Sequence, residues 1–179
     1  MIIWIDGVNG IGKSHIAAEL AERLVDKNAE YVESDLYWMD FLGNEKNYLM
    51  CILGHQGFTS NSNKYFLGTL RKTIEEKHDS GKLPIVSMSL VNKLCESELL
   101  DYFEKKDIPM LHIILKAKAE TIISRIENDP IRNQSAQQEQ KYNVTGQITY
   151  LESEYPNAVR INTDDKTLDE IANEIVALL

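Results

Sequence analysis

The 179-residue sequence predicts an α/β fold: a parallel sheet with helices on both faces. Two observations predict it. Short apolar runs alternate with segments of helical spacing along the whole chain, and the first run meets the first helix through Gly7-Val8-Asn9-Gly10-Ile11-Gly12-Lys13-Ser14. That loop fits G-x-x-x-x-G-K-[ST]. With glycine at about 7% of average usage, a chance match in a chain this long is on the order of one in a hundred or less. Strand, glycine-rich turn and helix together are the context that confirms such a loop.

Ile2–Ile5 reads as a buried strand, and Ile16, Ala17, Leu20, Ala21 and Leu24 place one apolar face on the helix that opens after it. Residues 29–34 read as the second strand, ending at Asp35. Residues 36–60 are rich in aromatic and aliphatic side chains yet broken by Gly43, Asn44, Gly54 and Gly57, and read as an irregular insertion. Tyr65, Phe66, Thr69, Leu70, Thr73 and Ile74 fit one helical face, capped by Ser62 or a neighbouring Asn.

The third strand is Leu83–Ser89, and Leu94, Leu99, Leu100 and Phe103 carry the helix after it. Pro109–Leu115 is the fourth strand, and Ile122 and Ile126 mark a helix that Asp129-Pro130 stops. Residues 131–140 are polar and read as a loop, with helix resuming before Leu151. Ala158–Ile161 is the fifth strand. Thr167-x-x-Glu170 is a capping box for the last helix, which buries Leu168, Ile171, Ala172, Ile175, Val176 and Leu179. Residues 1–179 suit one domain with two interruptions, and long interruptions in a compact domain are more often functional than idle.

The loop's chemistry follows from its residue types. Glycines let main-chain N–H groups converge on a phosphate, and the helix beginning near Lys13 adds the positive end of its dipole. Lys13 reaches the β- and γ-phosphates of a nucleoside triphosphate, and the Ser14 hydroxyl is placed to ligate Mg²⁺. Gly7, Asn9, Gly10, Ile11, Gly12, Lys13, Ser14 and the adjoining His15 form the expected nucleotide-binding stretch, His15 by position alone. The expected cofactors are ATP and Mg²⁺.

Composition narrows the partners. A net charge of −9 and the lack of a basic stripe with interleaved aromatics argue against a nucleic-acid surface. The acidic residues crowding the C-terminal end read as a solvated helix face. Cys51 and Cys95 have no metal or redox spacing and read as reduced core residues. His15, His55, His78 and His112 show no metal spacing. The chain opens into its first strand without a basic leader, and no apolar stretch approaches the ~18–20 residues of a membrane span. The expected compartment is the cytoplasm, and nothing indicates an oligomer.

Beyond these readings, the sequence resembles the small P-loop kinase group that includes shikimate, gluconate, adenylate and chloramphenicol kinases. The phosphate loop carries the resemblance, as do Tyr31-Val32-Glu33-Ser34-Asp35 at the end of strand two and Ile114-Leu115-Lys116 with Thr121-Ile122-Ile123-Ser124-Arg125 leading toward a lid. More narrowly, Met1–Ile5 and residues 84–92 are similar to ATP-binding proteins associated with tunicamycin resistance. The resemblance implies a sheet ordered 2-3-1-4-5, an acceptor-side insertion at about residues 36–66 and a lid at about 129–140. One departure matters: strand three ends without the aspartate of a Walker B motif, with Ser87, Ser89 and Asn92 in its place. Many kinases of this group lack it too, whereas motor-type ATPases use it to hold Mg²⁺ and position water.

Asp35 is the candidate for activating an acceptor hydroxyl, for holding Mg²⁺, or for both, and its bland alternative is a helix N-cap. Arg125 and Arg132 are the cations expected over the transferring phosphoryl group, with Arg125 alternatively stacking on the base. Asp165, after the last strand, is expected near the base, or else sits in a plain turn. Tyr37–Phe58 shapes an apolar acceptor site or is ordinary core. Asn92 and Lys93 are further acceptor-side candidates. Three functions fit: a small-molecule kinase, a nucleotide-gated drug-binding or resistance protein, and a regulatory ATPase.

Overall fold

The structure, a computed structural model, describes residues 1–130 and 133–179. Its centre is a five-stranded parallel sheet in the order β2-β3-β1-β4-β5, as the resemblance implied. The strands are β1 (Ile2–Asp6), β2 (Ala29–Glu33), β3 (Leu83–Ser87), β4 (Met110–Lys116) and β5 (Val159–Asn162). β1 pairs with β3 and β4, so helices cover both of its faces and every residue from Ile2 to Asp6 is buried. That burial explains why the strand reads as a continuous apolar run. Trp4 sits wholly inside, its indole N–H donating to the Met88 carbonyl at 3.2 Å.

The described residues form eight longer helices and two short 3-10 turns. α1 (Lys13–Arg23) and the last helix, α8 (Leu168–Val176), pack together, with Arg23 reaching Asp169 at 2.5 Å and Asn173 at 2.7 Å. Right-handed crossovers place α4 (Lys64–Asp79), α5 (residues 93–105), α6 (Ala119–Glu127) and α7 (Gln134–Glu154) on the other face. α5 contains a π-helical stretch at Glu96–Leu100. The Thr167–Glu170 capping box forms, and Asn63 caps α4 by accepting from the Phe66 N–H at 2.9 Å.

Two sequence expectations change. The glycine-broken insertion is a pair of helices, α2 (Ser34–Gly43) and α3 (Glu45–Ile52). Gly43 ends the first and Asn44 caps the second, accepting from the Lys46 and Asn47 N–H groups. From Gln134 onward the polar stretch read as a loop is helical: α7 begins there behind the Asn133 cap and runs 21 residues. Only Val144 and Leu151 of that helix are buried, so it has no apolar periodicity to read. β3 also ends two residues early, leaving Ser89 free to cross over toward the phosphate loop. No described helix is long and apolar enough to cross a membrane.

Candidate active site

The loop between β1 and α1 turns on three left-handed glycines, at φ 142° (Gly7), 83° (Gly10) and 103° (Gly12). Two of them are needed for different reasons. Gly12 is the N-cap of α1 in open space, so only its backbone demands glycine, whereas a Cβ on Gly10 would run into Ile126 of α6. The Lys13 ammonium lies across the loop and donates to the Gly7 carbonyl at 3.0 Å and the Val8 carbonyl at 3.1 Å. The Asn9 N–H donates to Gln147 Oε1 at 3.2 Å, tying the loop to α7. Ile11 is buried beneath the loop, and His15 is exposed on the first turn of α1.

At the end of β2 a second group of side chains meets this loop. The Ser14 hydroxyl donates to Glu33 Oε1 at 2.6 Å, and the Tyr31 hydroxyl donates to Glu33 Oε2 at 2.6 Å. Tyr31 is also 3.0 Å from Ser87 Oγ. Burial, and then the Glu33 carboxylate, push the Tyr31 phenol well above its ordinary range, so it remains a donor. Glu33 is thus the carboxylate in contact with Ser14, and the sequence reading passed it over in favour of Asp35. The available signal was its place as the last residue of β2, on the same side of the strand as Tyr31. Asp35 lies two residues on, exposed in the first turn of α2.

Ser14 and Glu33 form a hard oxygen-donor pair of the kind that binds Mg²⁺, which takes one or two carboxylates and completes its shell with phosphate and water. Among the described residues no cluster of three or more His, Cys, Asp or Glu could hold a metal by itself. A Mg²⁺ here therefore depends on a phosphate-bearing partner.

Where β4 and β5 end, Arg125 bridges three segments. Its guanidinium donates to the Ile11 carbonyl at 3.1 Å, to Thr163 Oγ1 at 3.0 Å and to the Thr163 carbonyl at 3.1 Å. It is therefore tied to the phosphate loop on one side and to the turn after β5 on the other. In that turn Asp165 is exposed at φ 57°, while Asp164 accepts the Lys118 N–H at 2.9 Å. This backbone bond, then Thr121, holds the Asp164 carboxyl below the usual range. Lys93 is engaged elsewhere, paired with Glu96 at 2.9 Å and with Glu154 of α7. Asn92 caps α5 through the Cys95 N–H. Arg132 lies outside the described residues.

The side chains of the insertion divide between core and surface. Trp38 and Phe41 pack on Phe66 of α4, with ring centroids 5.1 and 5.7 Å away, and Cys51 is buried. Leu36, Met39, Tyr48, Leu49, Ile52, Leu53 and Phe58 are exposed. The apolar acceptor site expected from Tyr37–Phe58 is thus an open face backed by a packed aromatic cluster.

Sheet order and phosphate loop define a small P-loop kinase-like fold. The chain belongs to the AAA domain family (AAA_33), whose model matches residues 2–147. No curated protein matches the sequence significantly. Among solved structures, the chain is similar to the tunicamycin resistance protein of Deinococcus radiodurans, with 21% identity and a TM-score of 0.67 over 99% of this chain and 94% of that one. It is also similar to shikimate kinase from Bacteroides thetaiotaomicron, with 13% identity and a TM-score of 0.67 over 99% and 97% of the two chains. A third similar structure is the APS kinase CysC of Mycobacterium tuberculosis in complex with AMPPNP and APS, with 16% identity and a TM-score of 0.62 over 99% and 95%. At these identities the likeness establishes the fold.

Proposed function

We propose that this protein is an ATP- and Mg²⁺-dependent kinase that transfers the γ-phosphate of ATP to a hydroxyl of a small molecule, a metabolite or an antibiotic. The observation that carries the reading is the 2.6 Å bond from Ser14 to Glu33, with Asp35 two residues beyond. It sets the Glu33 carboxylate against the phosphate loop at the C-terminal end of β2, where open α/β sheets bind ligands, and Asp35 follows in the first turn of α2. Glu33 and Ser14 are suited to hold Mg²⁺, which would neutralise charge on the bound phosphates. Metal ligation by Asp35 is the alternative role for that residue.

In this reading Asp35 accepts the proton of the acceptor hydroxyl as its oxygen attacks the γ-phosphorus, and ADP leaves. Lys13 stabilises the charge developing on the phosphoryl oxygens, and Arg132 is the proposed second cation. Arg125 and Asp165 border the base side of the nucleotide. The acceptor docks along the exposed face of α2 and α3. Closure over the site keeps water from intercepting the phosphoryl group. The reaction is expected in the cytoplasm, where ATP is found, with neither nucleic acid nor membrane as partner.

A second reading has its own observation. The exposed apolar side chains of α2 and α3 also suit nucleotide-dependent sequestration of a hydrophobic drug without transfer, and one structural relative is a tunicamycin resistance protein. One experiment separates the readings. Purified protein with Mg-ATP is screened against hydroxylated metabolites and antibiotics, following ADP release with and without each compound. The kinase reading expects one chemical class to stimulate release and to gain 80 Da by mass spectrometry, the mass of a phosphoryl group. ADP release that no compound stimulates, with tight binding of an apolar one, transfers the weight to sequestration.

A further inference from the structure

β1 is apolar until its last residue, Asp6, whose side chain is completely buried. One carboxylate oxygen accepts the Gly7 N–H at 2.6 Å and the Leu90 N–H at 3.0 Å, and the other lies 2.9 Å from His112 Nε2 on β4. A carboxylate is costly to bury unless its oxygens are satisfied, and three N–H groups satisfy this one. The same residues fix the neighbouring peptides. The Ser89 hydroxyl donates to the Gly7 carbonyl at 2.7 Å, and the Tyr155 hydroxyl donates to the Leu90 carbonyl at 2.9 Å. The Tyr155 ring packs edge-on against His112 with centroids 5.0 Å apart. Gly7, the first hinge of the phosphate loop, is therefore held through both its N–H and its C=O.

His112 is not sealed in. Its side chain is 14% exposed and forms part of the wall of a cavity of about 390 Å³ on the flank of the sheet. Glu96, Asp101, Glu104 and Glu154 line the same cavity.

We propose that Asp6 is a positioning residue for the phosphate loop, and that its pairing with His112 makes nucleotide binding take up a proton. The inference rests on the nucleotide-binding reading of the loop and goes beyond it. A bare carboxylate one residue before the loop repels an incoming polyphosphate, and its burial weakens solvent screening. An imidazolium at His112 cancels that charge without disturbing the two main-chain bonds. The nucleotide therefore binds best to the protonated pair, and linkage requires binding to draw a proton onto it. Affinity therefore falls as pH rises.

The charged groups facing the cavity beside His112 are the four carboxylates and Lys93, which is paired with two of them. Of the other groups packed here, burial first, and then Asp6, push the Cys95 thiol up to about 12, and burial pushes the Tyr155 phenol far above its ordinary range. Both stay neutral at physiological pH.

The test is calorimetric titration of the full chain with Mg-AMPPNP from pH 6 to 8.5, in buffers of different ionisation enthalpy. The nucleotide's own protonation is common to every variant, so the difference between variants is what is read. Wild type should take up more protons than His112→Gln, and its affinity should fall roughly 3–10-fold more steeply across the range. His78→Gln, at the far end of α4, should match wild type. Asp6→Asn keeps an acceptor for Gly7 and Leu90 but loses the charge, and should bind with the flattened profile of His112→Gln. Should Asp6→Asn fail to fold, wild type and His112→Gln still decide the matter. Equal proton counts and pH slopes in those two overturn this inference alone, as does a linkage that survives His112→Gln and vanishes in His15→Gln. No nucleotide binding at any pH removes the nucleotide reading and this inference with it.

Discussion

Ser14 Oγ donates to Glu33 Oε1 at 2.6 Å and so joins the first turn of α1 to the last residue of β2. This contact brings the hydroxyl of the phosphate loop to a carboxylate from the adjoining crossover. It predicts that Glu33→Gln, which keeps the shape and a hydrogen bond but loses the charge, raises the Mg²⁺ concentration needed for half-maximal activity about tenfold. ATP affinity without metal should change little. An unchanged Mg²⁺ dependence would remove Glu33 from the metal site.

Asp35 is assigned a different task, and its variant should fail differently. Asp35→Asn is expected to leave Mg-ATP affinity nearly intact and to cut phosphoryl transfer by roughly 10²-fold or more, because a general base acts only on the way to the transition state. Rates of ADP formation at saturating acceptor check this. If Asp35→Asn reproduces the Mg²⁺ shift expected of Glu33→Gln, the two carboxylates share the metal and the assignment of the base is wrong.

The glycines of the loop make a stability comparison possible. Gly12→Ala meets open space and suffers only from φ 103°, at a cost of about 1–2 kcal/mol. Gly10→Ala carries a similar backbone cost at φ 83° and must also displace Ile126, so it should lose about 1–3 kcal/mol more. Urea denaturation of the two variants measures the difference. Equal losses would mean that α6 does not press on the loop as described.

Legibility in the sequence tracked how local the physics was. Gly7–Ser14 declares itself because eight adjacent positions carry the whole geometry, and the capping box at Thr167 did so for the same reason. The strands of the sheet were readable from their buried apolar runs, but their order came from family resemblance and not from periodicity. Glu33 was missed because a glutamate on a half-buried strand looks like ordinary alternation, and its partner Ser14 is 19 residues away. The start of α7 was missed because a mostly polar helix is held by a cap and its neighbours and not by an apolar stripe. Asp6 was missed, since its partners Leu90 and His112 are 84 and 106 residues away in the sequence.

Thiol chemistry offers a check on the core under the site. Burial pushes the Cys95 thiol up to about 12, and Asp6 adds to the effect. The folded protein should therefore leave Cys95 unmodified by a thiolate-selective reagent at pH 8, and urea should expose both Cys95 and Cys51. Because the folded pKa lies above the unfolded one, this group's contribution to stability is complete below the unfolded thiol pKa. It is lost as pH rises from about 9 toward 12. Rapid labelling of Cys95 in the native state at pH 8 would contradict the packing described around Asp6.

Arg125 joins Ile11 to Thr163 through three hydrogen bonds, so its loss should be felt on both sides. Arg125→Ala is expected to weaken nucleotide binding roughly tenfold and to destabilise the chain by about 2–3 kcal/mol. Arg125→Lys should recover little, since an ammonium cannot span the same fork. Full rescue by lysine would reduce Arg125 to a plain charge.

Titration of Mg-AMPPNP into wild type and Lys13→Ala, with both proteins shown to be folded, tests the grip of residues 7–14 most directly. One nucleotide per chain for wild type, and affinity lower by about 10²-fold or more without the ammonium group, is the predicted result. Equal affinity in the two proteins would mean that the nucleotide, if it binds, is held somewhere other than this loop.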